Sequence, residues 1–174
     1  SIGYGHPDQY PLTLLSIILG GNMSSRLFIN VREQHGLAYF IKASASAYHG
    51  AGAFVVQAGL DKARLGQAIA LILQELNNVR DRGVTEEEVA AAKDFIEGKI
   101  ILALEDSEHV ADWYGKQELL EPEVLTPEQR MAKLRAVPRE DVQRVARQLF
   151  DKTKLNLALI GPYQEPGQFL KMLA

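Results

Sequence analysis

Cysteine is missing altogether from these 174 residues. Disulfides and thiolate zinc sites are thereby excluded, and cysteine usage says nothing of the redox compartment. No apolar run reaches the roughly 18–20 residues that cross a bilayer, so no membrane is expected as a partner. Basic charge is not in excess: the net charge is −3 with both signs interspersed. Nucleic acid usually demands a basic stripe and is not expected either. Histidine is scarce, and His6, His35, His49 and His109 form neither H-E-x-x-H nor H-x-x-E-H. Glu105 and His109 stand four apart and would share a helix face, as a metal half-site or as a solvated pair near a helix start. His49 reads as exposed in a hairpin turn. There is no G-x-S-x-G elbow, and Gly20-Gly21 lacks the Lys-Ser/Thr of a phosphate loop. No metal ligand and no catalytic residue is assigned in this chain.

No internal repeat, linker or low-complexity tract divides the sequence, and residues 1–174 are expected to form one domain. At this length folding removes about 70% of the chain's surface from water, enough for a core without staples. The opening SIGYGHPDQYP is abrupt, and the chain is expected to be a piece of a longer one. The compartment is left open, with the cytoplasm as the default.

Pro11 suits the first turn of a helix. Leu12, Leu14, Leu15, Ile17, Ile18 and Leu19 make that helix apolar almost all round, which predicts deep burial. Gly20-Gly21-Asn22 ends it. Ser24 or Ser25 is the expected cap of a short helix over 25–34, with Leu27, Phe28 and Val31 inward and Gly36 as its stop. From 37 to 48 the period becomes two: Ile41, Ala43, Ala45 and Ala47 on one side, Lys42, Ser44 and Ser46 on the other. A turn at 49–52 and a second strand over 53–59 complete an antiparallel hairpin. Helices follow. Thr85 with Glu88 forms a capping box, Asp106 or Ser107 caps another helix, Thr126-Pro127-Glu128-Gln129 opens a third, and Pro138 opens a fourth. LNLALI at 155–160 reads as a strand stopped by Gly161-Pro162, and 168–174 as a last half-turn or helix. Helices and strands are segregated, which predicts an α+β fold: a mostly antiparallel sheet with helices on one face. Three strands are few for so many helices, so further strands are expected to lie before Ser1.

Residues 20–48 organise the rest. Arg32 and Tyr39 flank the break at Gly36. They are either an exposed helix arginine and a strand tyrosine at a core edge, or a pair of donors facing one cleft. A guanidinium and a phenol hydroxyl can together hold a peptide carbonyl or a developing oxyanion, and neither needs an altered pKa to donate.

The run LLSIILGGNMSSRLFINVREQHGLAYFIKASASAY resembles the second half-domain of the pitrilysin/insulinase family of zinc metallopeptidases, above all the bacterial members similar to mitochondrial processing peptidase. The likeness joins an apolar helix, a Leu-Gly-Gly turn, Ser-Ser-Arg-Leu, and Arg-Glu-x-x-Gly-Leu-Ala-Tyr entering a strand. It continues through VTEEEVAAAKDFIEGKI, LEDSEHVADWYGKQELL and LNLALIGP, and so covers nearly the whole chain. In that family two similar halves close on a chamber. The first carries H-x-x-E-H and a further glutamate ligand; the second supplies an arginine and a tyrosine seven residues apart. Arg32 and Tyr39 match that pair in type and spacing.

The resemblance implies a non-catalytic, substrate-binding C-terminal half of a zinc endopeptidase acting on unfolded peptides. Arg32 and Tyr39 would contact the substrate carbonyl, and zinc would sit in a partner half carrying H-x-x-E-H, in the same polypeptide or another chain. Alone, the chain is expected to be inactive. A structural or assembly subunit of the same fold and a peptide-binding module remain open as alternatives. Exposed sheet edges would also allow a homodimer.

Overall fold

The computed structural model describes residues 2–163 together with Gly167, Phe169 and Met172. Helix α1 spans Gln9–Gly20, and a π-helix, in which hydrogen bonds reach five residues on rather than four, follows over Phe28–Gln34. Strands β1 (Ala38–Tyr48) and β2 (Ala51–Leu60) form an antiparallel hairpin. After a 3₁₀ turn at Lys62–Arg64 come α2 (Leu65–Arg82), α3 (Glu86–Ala103), α4 (Ser107–Leu120), α5 (Pro127–Arg135) and α6 (Arg139–Leu149), then a second 3₁₀ turn at Lys152–Lys154. The fold is α+β, as its pattern predicts.

Helix α1 is the centre of the core. Leu14, Leu15 and Leu19 are fully buried, with Leu12, Ile17 and Ile18 close behind. It packs on β1 and against α3, α5 and α6, which is why it needs no polar face. On the sheet, Ile41, Ala43 and Ala45 face this core opposite Ala58, Val56 and Phe54. Lys42, Ser44 and Ser46 point to the other side and are exposed. The period of two therefore sorts a core face from a polar one. From α6, Val142, Val145 and Ala146 close the core.

Short-range polar signals form as written. Thr85 accepts the Glu88 N–H at 3.2 Å while the Glu88 carboxylate accepts the Thr85 N–H at 2.8 Å. Thr126 and Gln129 repeat the arrangement at the start of α5, and Asp106 caps α4. Other links join distant segments. Gln117, 2% exposed, bonds Leu125 through both N–H and C=O. The Trp113 indole donates to the same carbonyl at 3.1 Å. Lys93 on α3 donates to the carbonyls of Arg135 and Val137, closing the end of α5.

Three expectations are corrected. Neither Ser24 nor Ser25 caps the second helix by its side chain. The Asn22 carboxamide oxygen instead takes the Ser24 N–H at 3.0 Å, and Ser25 Oγ donates back to Asn22 O at 2.7 Å, so the turn uses these groups itself. Residues 155–160 form no strand: among the described residues no ladder partner lies beside them, and alternating apolar residues cannot make a strand without one. Glu105 lies in the turn before α4 and not on a helix face with His109, which sits 3.4 Å from Asp106 instead. The predicted terminal half-turn at 168–174 lies outside the described residues except Phe169 and Met172, both helical.

Two of the ion pairs between distant segments also shift the carboxylate they hold. The Arg144 fork on α6 grips Asp8, ahead of α1, at 2.9 and 2.6 Å, and this holds the Asp8 carboxyl below its ordinary value. Arg26 grips Glu88 at 2.5 and 2.7 Å and reaches Gly83 O at 3.1 Å. Burial pushes the Glu88 carboxyl up, but the Arg26 bonds, the Thr85 N–H and the guanidinium charge together hold it below its usual range. Both folded-state values lie below the unfolded ones. Their stabilisation is complete above the ordinary carboxylate range, about pH 4, and is lost as pH falls through and below it. The melting temperature is therefore expected to drop on acidification below about pH 4.5. Glu88→Gln should lower it at neutral pH and flatten the acid limb, measured by circular dichroism from pH 7 to 2.5. An acid limb as steep in the variant as in the parent would refute the assignment.

Candidate functional site

Each of the two predicted site residues lies where the backbone departs from a regular α-helix or strand. Arg32 lies on the π-helix and Tyr39 at a bulge in β1. The π-helix is anchored from outside. At its start stands Arg26 with its Glu88 pair, and Asn30 Nδ2 donates to Glu75 on α2 at 2.7 Å. Leu27 and Val31 are buried beneath it. The site thus rests on a fixed scaffold.

The Arg32 guanidinium carbon stands 4.5 Å from the centroid of the Phe28 ring, which packs half-buried against the core. The nearest carboxylate among the described residues, Glu33, is 3.9 Å away, too far to hydrogen-bond. The side chain remains 40% exposed. The guanidinium is therefore held by its face, a cation–π contact, and its N–H edges stay open to a ligand. Most other arginines of the described residues spend those edges on carboxylates, as Arg26, Arg130 and Arg144 do.

Tyr39 is displayed by a shift of register. The pairing steps from Ala38 opposite Leu60 to Phe40 opposite Gly59, which leaves Tyr39 with no residue across from it. Ala38 and Ile41 are both buried, three residues apart, so Tyr39 and Phe40 both fall outside. Strict alternation would bury Tyr39 beside Ile41; the bulge leaves it 87% exposed. In this chain Tyr39 thus lies off the core side of its strand. The Phe40 ring instead covers Gly59, where a side chain would collide with it.

The turn between the two residues is narrow. Gly36 has φ +58°, a left-handed angle that suits glycine, and its N–H donates to Arg32 O at 3.0 Å. The Leu37 N–H donates to Val31 O at 3.0 Å. The two side chains make no hydrogen bond to each other among the described residues; the backbone of 32–39 relates them. Both are donors on an exposed surface. A hollow of about 500 Å³ opens elsewhere, at the turn from α2 to α3 beside Arg82 and Glu86, and neither Arg32 nor Tyr39 lines it.

Among the described residues no three His, Asp or Glu side chains are placed to hold a metal ion. The histidines are scattered. His6 lies by Asp8, His35 Nδ1 is 2.7 Å from Asn30 O, His49 meets the Tyr4 ring edge-on, and His109 lies by Asp106. This donor set does not fit zinc. Sequence reasoning missed Phe28, Asp61 and Arg64 around the site. The spacing of Phe28 and Arg32, four apart on a helix, is a signal that could have paired them; the carbonyls that Arg64 holds at the Gly36 turn leave none.

Comparison with known proteins gives a consistent answer. The family model of the peptidase M16 inactive domain matches residues 1–96. The zinc protease YmxG of Bacillus subtilis is 37% identical over 158 residues, 91% of this chain and 38% of its own length. A zinc protease of Streptomyces coelicolor is 32% identical over 90% of this chain and 34% of its own length. The chain thus spans little more than a third of these curated relatives. Among solved structures, a conserved protein from Enterococcus faecalis superposes with a TM-score of 0.73 at 34% identity, over 85% of this chain and 34% of that one. A peptidase M16 inactive domain from Pseudomonas fluorescens gives 0.76 at 20% identity, over 85% and 36%, a likeness of fold.

The purified chain is expected to take up far less than one zinc per molecule after equilibration with the metal and gel filtration, measured by plasma mass spectrometry. One tightly held zinc, lost with a single histidine substitution, would mean that a ligand set has gone unrecognised.

Proposed function

The chain belongs to the M16 peptidase family, as its inactive domain, and from that premise we propose that it is the C-terminal, substrate-holding half of a zinc-dependent endopeptidase that acts on unfolded peptides. Residues 1–174 act as one domain in this role. Its partner is a catalytic half carrying H-x-x-E-H, in the same polypeptide or in another chain. Zinc belongs to that half. This chain by itself is inactive.

The observation that carries the reading is the display of Arg32 and Tyr39. One is stacked by its face on Phe28 with no carboxylate of the described residues within hydrogen-bonding distance, and the other is turned outward by a bulge. A guanidinium beside solvent and a phenol 87% exposed are donors with no acceptor among the described residues. A peptide carbonyl would supply that acceptor. As a nucleophile adds to it, negative charge gathers on its oxygen, and donors already in place stabilise that charge without reorganising. One such donor is worth about 3 kcal/mol in a site closed to water. An exposed pair on one chain gains that strength when a second half covers it, since excluding water strengthens both bonds.

In the enzyme assembled with its catalytic half, Arg32→Ala is expected to lower kcat on a quenched unstructured peptide by roughly 100-fold, and Tyr39→Phe by a smaller factor. The melting temperature should shift little, because both side chains are exposed. Parent-like turnover in both variants would remove the substrate-holding role and favour a structural subunit of the same fold. Turnover by this chain without its partner would show a catalytic centre of its own.

A further inference from the structure

A residue far along the chain holds the turn that joins Arg32 to Tyr39. Arg64 Nη2 donates to Gly36 O at 2.7 Å, and Nη1 lies 3.3 Å from His35 O. The Nε of the same guanidinium donates to Asp61 Oδ2 at 2.9 Å. Asp61 is fixed in its turn: its N–H donates to Leu37 O at 3.1 Å, and its Oδ1 accepts the Ala63 N–H at 2.9 Å. Between them Arg64 and Asp61 take the carbonyls of His35, Gly36 and Leu37, one after another.

We propose that Arg64, oriented by Asp61, is a positioning residue for Tyr39, setting it relative to Arg32. The inference rests on the substrate-holding role just given to that pair. Without these side chains the turn is left to its backbone bonds. Gly36 has open space where a side chain would be, and its left-handed backbone is the freest in the segment. The Gly36 and Leu37 N–H groups tie the turn back to the π-helix. On the strand side the ladder is interrupted at Tyr39 itself, so regular pairing resumes only at Phe40. Arg64 and Asp61 supply the missing restraint at the end of β2. They fix the turn relative to the partner strand, and with it the angle at which Tyr39 leaves the sheet. A misplacement of about 1 Å at a reacting centre can cost on the order of 100-fold in rate, which is the scale on which such a restraint matters.

The residue type fits the task. A planar guanidinium reaches two adjacent carbonyls with one edge and a carboxylate with another, at fixed angles. A lysine ammonium reaches one of these acceptors without holding the angle. Arg64 and Asp61 are also both solvent-exposed, 46% and 40% by side chain, and an exposed pair of this kind adds little to global stability. A clamp so placed acts on local geometry.

The test uses the enzyme assembled from this chain and its catalytic half, with Arg64→Ala, Arg64→Lys and Asp61→Asn, alongside Arg32→Ala and Tyr39→Phe. Arg64→Ala is expected to lower kcat about tenfold or more, with KM and melting temperature close to the parent's. Arg64→Lys should recover part of the loss. Added to Tyr39→Phe, Arg64→Ala should cost much less than it does alone, because the group it positions is already gone. In the chain alone, Arg64→Ala should speed amide exchange at Ala38 and Tyr39 and leave α1 unchanged. A parent-like kcat for Arg64→Ala, where Arg32→Ala is impaired, would overturn the clamp and leave the substrate-holding role standing. A full further loss in the Tyr39→Phe background would also overturn it. Parent-like turnover in Arg32→Ala and Tyr39→Phe themselves would end both proposals together.

Discussion

Helix α1 can lie directly on the backbone of β1 because Gly20 has no side chain. A Cβ there would run into Ala43 N and Cβ, so no larger residue fits without parting helix and strand. Much of the structure follows from this contact. It sets the depth of the core, since the apolar side chains of α1 fill the space between the hairpin and α3, α5 and α6. It also fixes where the chain must turn. Having ended α1 against the middle of β1, the backbone has only residues 21–37 in which to leave the sheet and return to enter that same strand at Ala38. A short excursion of this kind has little freedom. The Asn22 turn, the π-helix and the Gly36 turn together occupy it. The candidate site lies at its far end, where the returning chain joins the sheet.

The polar links around this excursion have different reach. Arg26 and Asn30 bind it to α3 and α2, and Arg64 binds its last turn to the end of β2. Each is a side chain meeting a carboxylate or a carbonyl from a distant segment. None makes a large contribution through charge alone, because each is at least partly in water. Their value is directional: a forked guanidinium fixes an angle as well as a distance. A loop held on three sides by directional bonds can present a side chain to solvent and still hold it still.

Local rules were enough for much of this fold. The capping boxes at Thr85 and Thr126, the Asp106 cap and the apolar α1 are each decided within a few residues, and the structure has them where the spacing puts them. The alternation of β1 is likewise readable from Ile41 to Ala47. What could not be read depends on which distant group a backbone atom finds. LNLALI has the composition of a strand, but composition cannot provide the neighbour a ladder needs. The 25–34 segment reads as helix, but its widening to a π-helix depends on the hydrogen-bond partner each N–H selects. The bulge left a trace. Ala38 and Ile41 are apolar and three apart, a spacing that no strict alternation explains. Type and spacing single out Arg32 and Tyr39 as candidates, whereas the backbone features that leave both exposed were not legible.

That reason bears on the chemistry. A guanidinium usually settles against a carboxylate, and in doing so spends the donors that could serve a ligand. Arg32 settles against a ring instead. The π face of Phe28 takes the charge without taking an N–H, so orientation is gained and donor capacity is kept. Tyr39 solves the same problem by other means. Its ring is held out by the register of the strand, and its hydroxyl is bonded to nothing among the described residues. Each side chain is oriented through a part of itself that does not react. The same separation extends to the turn between them, where Arg64 takes carbonyls and leaves both side chains untouched.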